Sequence, residues 1–308
     1  MYDVIIIGAG PAGLTAGLYC GRAKLHTKII EKSTVGGQVI TTEEIENYPG
    51  VFKANSNDLI QTMVKQIKNL PDVELDEFKE VRSVVHGSGS IKVEVASDTD
   101  KEKLKYECRS LIIATGAHPK ELGIPGEKNL RGKGVSYCAT CDGPLFRDKN
   151  VVVIGGGDTA IEEALYLTKF CNKVYVIHRR DSLRAVALLG ERAKDNPKIE
   201  LVLNSVALEI LGNERVESVR INNVKTNKPS EISCSGVFFF VGYTPDTNFV
   251  EGLLDLDKDK FIITDEQMNT NKKGIFACGD CRKRPFKQII TACAEGAVAA
   301  HSVGKYLL

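Results

Sequence analysis

Two cysteines three positions apart, Cys138 and Cys141, with Asp142 directly behind them, are the chemistry-bearing feature of this 308-residue chain. A loop this short can close a disulfide that is easily reduced and re-formed. The same spacing also serves as half of a zinc site, or as two packed thiols. Zinc would want a second ligand pair close by. The other pair at this spacing, Cys278 and Cys281, lies more than a hundred residues away. Which reading holds depends on what surrounds the pair.

Two glycine fingerprints bracket the pair in sequence. The first follows an apolar run at residues 4–7 and reads Gly8-Ala9-Gly10-Pro11-Ala12-Gly13, with a helical stretch at 14–22 behind it. Strand before and helix after is the context that makes Gly-x-Gly-x-x-Gly a dinucleotide-binding turn. Its glycines let backbone N–H groups approach a pyrophosphate, and the helix start favours the negative charge. A second strand, residues 28–31, ends in Glu31, 23 positions after Gly8 and at the distance where an acid meets ribose hydroxyls. Pro11 and Ala12 lean the site toward FAD. The second fingerprint is Gly155-Gly156-Gly157-Asp158-Thr159-Ala160, between an apolar run at 151–154 and a helical stretch at 161–170. Alanine in the last position is a permitted variant. His178 stands 23 positions after Gly155, the offset that places Glu31, and is followed by Arg179, Arg180 and, close behind, Arg184. A carboxylate there suits a free 2′-hydroxyl, whereas guanidinium groups suit a 2′-phosphate through charge-assisted, often bidentate bonds. The second site therefore reads as one for NADPH.

Other stretches support or frame these sites. Gly36-Gly37-Gln38 is a loop able to lie against a flat ring system, and residues 46–50, with Asn47 and Tyr48, form a turn. Residues 58–70 have helical apolar spacing and read as a packed helix. Residues 81–107 alternate and read as a meander or hairpin layer, with Gly87-Ser88-Gly89 inside it. Residues 111–116 form a buried strand ending in Ala114-Thr115-Gly116. Residues 119–134 read as a polar linker and entry loop, with Arg131 and Lys133 either solvated or docking an acidic partner. Residues 198–206 and 216–234 read as two alternating strands around Gly212-Asn213. Residues 236–242 form a buried strand, and 243–246 cross back to the first domain. Residues 274–280 end in Gly279-Asp280, placed for the ribityl or phosphate side of a flavin. Residues 287–301 form a small-residue helix that can pack closely under the ring. Cys278, Cys281 and Cys293 read as packed thiols.

Composition bounds the rest. Hydrophobic residues make up 43% and charged residues 26%, and the formal net charge is +1. That is an ordinary globular balance with no field to draw nucleic acid. Nine cysteines in irregular positions fit a reducing compartment in which most thiols stay free. The first apolar run is too short to span a membrane or form a signal core, so the expected location is the cytoplasm, away from membranes.

The whole chain resembles the bacterial low-molecular-weight thioredoxin reductases. The resemblance is carried by Gly-Ala-Gly-Pro-Ala-Gly at 8–13, Gly-Gly-Gln at 36–38, Glu-Asn-Tyr-Pro-Gly at 46–50, Ala-Thr-Gly at 114–116, Cys-Ala-Thr-Cys-Asp-Gly at 138–143, Gly-Gly-Gly-Asp-Thr-Ala at 155–160, His-Arg-Arg-Asp at 178–181 with Arg184, and Gly-Asp at 279–280. The relatives typified by glutathione reductase carry their cysteines early in the FAD domain, where this chain has none. The resemblance implies an α/β fold with two Rossmann-like domains of three-layer ββα sandwich character, the second inserted in the first. An FAD-binding domain would take residues 1–117 and 245–308, and an NADPH-binding domain carrying the cysteines residues 118–244. It implies FAD held by Gly8, Gly10, Pro11, Ala12, Gly13, Glu31, Gly36, Gly37, Gln38, Asn47, Ala114, Thr115, Gly116, Gly279, Asp280, Lys287, Gln288 and Ile289. It implies NADPH held by Gly155, Gly157, Asp158, Thr159, His178, Arg179, Arg180 and Arg184, and no metal. Cys141 would face the flavin, Cys138 would attack the disulfide of thioredoxin, and Asp142 would be the acid/base. A homodimer and a domain rotation between half-reactions are also implied. One departure stands out: the family usually has Arg-Gln in the last flavin-binding segment, and this chain has Lys287-Gln288, which keeps the charge and loses the fork geometry. Rival readings are a ferredoxin-dependent reductase or dithiol oxidase, which should lack the second fingerprint and its arginines. A peroxiredoxin reductase would need an N-terminal thioredoxin-like extension. A zinc-stabilised nucleotide-binding module would use both cysteine pairs.

Overall fold

The apolar runs become central, parallel strands of two sheets, one mixed and one all parallel, and are buried on both faces. The computed structural model describes residues 1–41, 44–52, 54–87, 89–97 and 104–308. The chain divides into one unit of Met1–His118 with Thr244–Leu308, and a second of Pro119–Tyr243. In chain order the elements are β1 (Tyr2–Ile7), α1 (Pro11–Arg22), β2 (Thr27–Ile30), β3 (Glu44–Ile45), β4 (Ala54–Asn55), α2 (Ser56–Lys68), β5 (Val73–Asp76), β6 (Lys79–His86), β7 (Ile91–Ser97), β8 (Leu104–Ile113) and β9 (Ala117–Pro119). Then come β10 (Val135–Ser136), α3 (Ala139–Asp142), β11 (Asn150–Ile154), α4 (Asp158–Leu167), β12 (Lys173–Ile177), α5 (Ala187–Asp195) and β13 (Ile199–Val202). The chain continues through β14 (Ser205–Leu211), β15 (Ser218–Asn223), β16 (Lys228–Ser233), β17 (Gly236–Phe239), β18 (Tyr243–Pro245), β19 (Ile275–Ala277) and α6 (Ile289–Leu307).

The first unit's sheet runs β5-β2-β1-β8-β7-β6, with β19 also on β8. Side chains of a strand alternate between faces, so each apolar run feeds two cores. Val4, Ile6, Ile29, Ile112 and Phe276 pack with helix residues such as Leu14 and Ala299. Ile5, Ile7, Ile30, Leu111 and Ile113 pack with Val81, Val93 and Val95 of the meander. Cutting any of these isoleucines to alanine would cost about 2–5 kcal/mol. The meander is present, with β6–β7 and β7–β8 antiparallel. Ser88 and residues 98–103 of that stretch lie outside the described residues. The sequence reading separated the meander from the strand at 111–116, but β8 is continuous through both. It pairs antiparallel with β7 as far as Cys108 and parallel with β1 from Cys108 onward. No glycine or proline interrupts it. In α6, a Cβ on Gly296 would run into the Ala12 carbonyl, so the small residues of this helix admit α1 at close range.

The second unit repeats the plan. Its parallel sheet runs β10-β17-β11-β12-β13, and a separate antiparallel sheet runs β14-β15-β16. Val151, Val153, Val174, Val176 and Phe238 pack with Ile161 and Leu167 of α4. Val152, Ile154, Val237 and Phe239 pack with Ile210, Val219 and Ile221 of the antiparallel sheet. Two readings are corrected here. Residues 198–206 divide between two sheets, turning at Asn204, and 216–234 form two strands, turning before Asn227. Both asparagines take the left-handed conformation, at φ 54° and 53°. Asparagine tolerates that region and replaced the glycine that would have signalled a turn. Residues 119–134 read as a linker and entry loop, and beyond Pro119 they form no helix or strand and are mostly exposed; Glu127 anchors them to this unit. The Glu127 carboxylate is 2% exposed and accepts N–H groups of Leu122, Gly123 and Ile124 and the Tyr137 hydroxyl. Arg131 lies over the Tyr137 ring at 4.9 Å.

Candidate active site

Cys138 and Cys141 are joined as a disulfide, with Cα atoms 5.3 Å apart. Cys138 caps the short α3, and its sulfur accepts the Cys141 amide at 3.1 Å. Cys138 is half-buried and Cys141 exposed. The strand that delivers the pair is held on both sides: Tyr137 donates to Glu127, and the Tyr243 hydroxyl donates to the Tyr137 carbonyl. Asp142 lies behind the disulfide and accepts the Ser136 hydroxyl at 2.6 Å. Burial raises its pKa, and the Ser136 bond works the other way. On α4, Glu163 also has its pKa raised, chiefly by burial, and its Oε2 is buried without a hydrogen-bond partner. No sequence motif singled out Ser136 or Glu163. The other seven cysteines are free and buried. Cys281 hydrogen-bonds the carbonyls of Ile113 and Cys278, and burial pushes its thiol up to about 11. Among the described residues no cluster of three or more histidine, cysteine, aspartate or glutamate side chains is placed to hold a metal ion.

In the first unit, the turn Gly8–Gly13 meets three other predicted segments. Glu31 is buried at the end of β2, its Oε2 accepting the Ala9 amide at 2.8 Å and its Oε1 taking the Ser33 amide and hydroxyl. Gly37 faces Gly10, with no side chain between them. Ala114 hydrogen-bonds Ile7, and the Thr115 hydroxyl donates to the Asp246 carbonyl beside Gly116. A cleft of about 350 Å³ opens here, lined by the predicted Gly8, Glu31 and Thr115 and by the unpredicted Arg82, Asp246 and Phe249. Gln38 lies exposed in the short 3₁₀ turn that Gly37 begins. Asn47 donates to Gln288 at 3.1 Å, and Gln288 caps α6 just before Ile289. Gly279 donates to Glu295; Asp280 is partly covered, with its pKa raised by burial, and Arg284 is 3.4 Å away. The Lys287 ammonium lies 4.4 Å over the Phe261 ring, its pKa lowered by burial. This is a glycine-walled cradle with a ribose-type acid at its end, and it fits a dinucleotide. A Cβ on Gly13 would collide with the Gly8 carbonyl. Gly13→Ala should therefore yield protein depleted of flavin and less stable by about 1–3 kcal/mol, the cost of overpacking; absorbance and thermal unfolding check this.

In the second unit, Gly155, Gly157, Asp158 and Thr159 lie at the β11–α4 turn. Gly157 has open space where a Cβ would point, and the His178 imidazole lies against Gly156. The amides of Arg184 and Ala185 donate to the Gly156 carbonyl, which brings Arg184 to the loop. Asp158 is occupied in part by the Val186 amide. Arg179, Arg180 and Arg184 are exposed, and among the described residues no carboxylate pairs with them. The adjacent Asp181 is drawn to Lys225 instead, at 3.2 Å. Burial, then Arg180, Arg179 and Arg184, hold the His178 pKa down. Its Nε2 is buried without a partner. An open glycine turn with three available guanidinium groups suits a phosphorylated dinucleotide.

Residues 2–296 match the family model described as pyridine nucleotide-disulphide oxidoreductase. The chain belongs to this family. Among curated relatives, it is similar to the thioredoxin reductase of Peptoclostridium acidaminophilum, at 45% identity covering 100% of this chain and 97% of that one. It is likewise similar to that of Bacillus subtilis, at 42% identity covering 100% and 95%. Among solved structures, the thioredoxin reductase of Streptococcus pyogenes matches at 44% identity with a TM-score of 0.93, covering 100% and 98%. Within this oxidoreductase family, the two nucleotide-type turns and the closed cysteine pair are the parts that set the chemistry.

Proposed function

We propose that the chain is an NADPH-dependent thioredoxin reductase, using FAD and the Cys138–Cys141 disulfide to reduce the disulfide of thioredoxin. The observation that carries this reading is the closed Cys138–Cys141 pair with Asp142 behind it, in a chain similar over its full length to thioredoxin reductases. FAD, when bound, supplies the two-electron step between NADPH and the disulfide. Glu31, Gly8–Gly13 and the loop at Gly37 hold it; Gly155, Gly157 and the arginines at 179, 180 and 184 hold NADPH. Cys141 would be the sulfur that takes electrons from the flavin, as the family resemblance implies. Cys138, whose sulfur receives the Cys141 amide, is the better placed to carry a thiolate and attacks thioredoxin. Asp142, its pKa raised by burial, is the carboxyl placed beside the pair to give and take a proton.

The partner is thioredoxin, and the working form is a homodimer in the cytoplasm, as the family resemblance implies. Seven buried free thiols accord with a reducing compartment. Among the described residues no helix is long and apolar enough to cross a membrane. The purified protein should be yellow, should lose its visible flavin band on anaerobic addition of NADPH, and should contain no stoichiometric zinc. A colourless, zinc-loaded protein would contradict the reading.

A further inference from the structure

We infer that Ser136 is a positioning residue for the disulfide-exchange reaction: its hydroxyl aims the Asp142 carboxyl and ties it to the backbone of Cys138. The inference rests on the reading of Asp142 as the acid/base. Ser136 is 4% exposed at the end of β10, where it pairs with Phe238 of β17. Its Oγ lies 2.6 Å from Asp142 Oδ2 and accepts the Cys138 amide at 3.1 Å. The Cys138 carbonyl is farther, at 3.3 Å. A hydroxyl has one proton, and the shorter contact to the carboxylate takes it. One side chain thus links the carboxyl to the residue that carries the attacking sulfur.

The proton path follows. The Cys138 thiolate attacks the partner disulfide, the partner S–S bond breaks, and the leaving sulfur takes the proton held by Asp142. Asp142, now ionised, is held by the Ser136 hydroxyl and takes the proton of Cys141. The Cys141 sulfur attacks Cys138, the mixed disulfide breaks, and the second partner sulfur leaves with that proton. The dithiol is oxidised, the partner disulfide is reduced, and two protons pass to the partner thiols. Other titratable groups around α3 are Cys138 and Cys141 themselves, Tyr137 on the preceding strand, and Glu163 and Tyr166 from α4, which packs against α3. Tyr137 is committed to Glu127. Glu163, with Glu162 beside it, is held toward its neutral form.

The sign can be worked out. The Ser136 bond favours ionised Asp142, so removing it keeps the carboxyl protonated to higher pH. Thioredoxin oxidation of the pre-reduced enzyme, followed in single turnovers against pH, should fall at high pH as Asp142 loses its proton. In Ser136→Ala this falling limb should move up by about one pH unit, tenfold in the proton equilibrium. The plateau below it should drop about tenfold, as a misaimed acid loses part of its catalytic factor. Ser136→Thr, which keeps the hydroxyl, should restore the wild-type limb. Flavin content and thermal midpoint report that each variant is folded; a packing defect would lower the plateau without moving the limb. Asp142→Asn should remove the limb. If it does and Ser136→Ala leaves the limb in place, the Ser136 inference is overturned while the Asp142 reading stands. If the limb survives in Asp142→Asn, both are overturned.

Discussion

Cys138→Ser and Cys141→Ser should each abolish thioredoxin reduction, by about 10³-fold or more, the scale expected when a reacting nucleophile is removed. Reduction of the bound flavin by NADPH should persist in both, because neither nucleotide turn includes a cysteine. The two variants should differ in one respect. Cys141→Ser leaves Cys138 free, with the residue-141 amide still directed at its sulfur. It should form a stable mixed disulfide with thioredoxin, whereas Cys138→Ser should form little. Turnover assays, anaerobic flavin spectra and non-reducing electrophoresis read the three outcomes separately. A variant that turned over thioredoxin at the wild-type rate would sink the relay.

Arg179→Ala and Arg180→Ala should each weaken NADPH by roughly 1–3 kcal/mol, the scale for a bond to a charged group. At 1.4 kcal/mol per decade, that is about 5- to 150-fold in Kd. NADH, lacking the 2′-phosphate, should be nearly unaffected. The asymmetry arises because these guanidinium groups have no carboxylate partner among the described residues, Asp181 being taken up by Lys225. Both arginines are exposed, so salt should screen their attraction, and NADPH binding should fall with ionic strength more steeply than NADH binding. Equal losses for the two nucleotides, measured by titration, would remove the phosphate assignment.

What the sequence made legible was what lies contiguous in the chain. Residues 4–7 and 151–154 announced central strands because both faces are buried, and the glycine turns followed from the strand–turn–helix context. The far wall of the first cleft was not legible, since Arg82 comes from β6 and Asp246 and Phe249 from one stretch behind β18, and the three share no motif. The anchor within the loop 119–134 was not legible, because nothing local reveals that the Glu127 carboxylate will gather three amides and a tyrosine hydroxyl. Asn204 and Asn227 hid two turns by taking a conformation usually signalled by glycine. Ser136 was within the cysteine motif's reach, yet only the folded strand brings its hydroxyl to Asp142.

The central claim is that electrons from NADPH arrive at Cys138 and Cys141. Its most direct test is differential alkylation, read by peptide mass spectrometry, on flavin-loaded protein under anaerobic conditions. Before NADPH, Cys138 and Cys141 should resist alkylation as a disulfide. After NADPH both should be alkylated, while Cys278 and Cys281 stay buried and unmodified. Adding oxidised thioredoxin before the alkylating agent should restore the disulfide. A flavin that is fully reduced by NADPH while Cys138 and Cys141 remain joined would contradict the account.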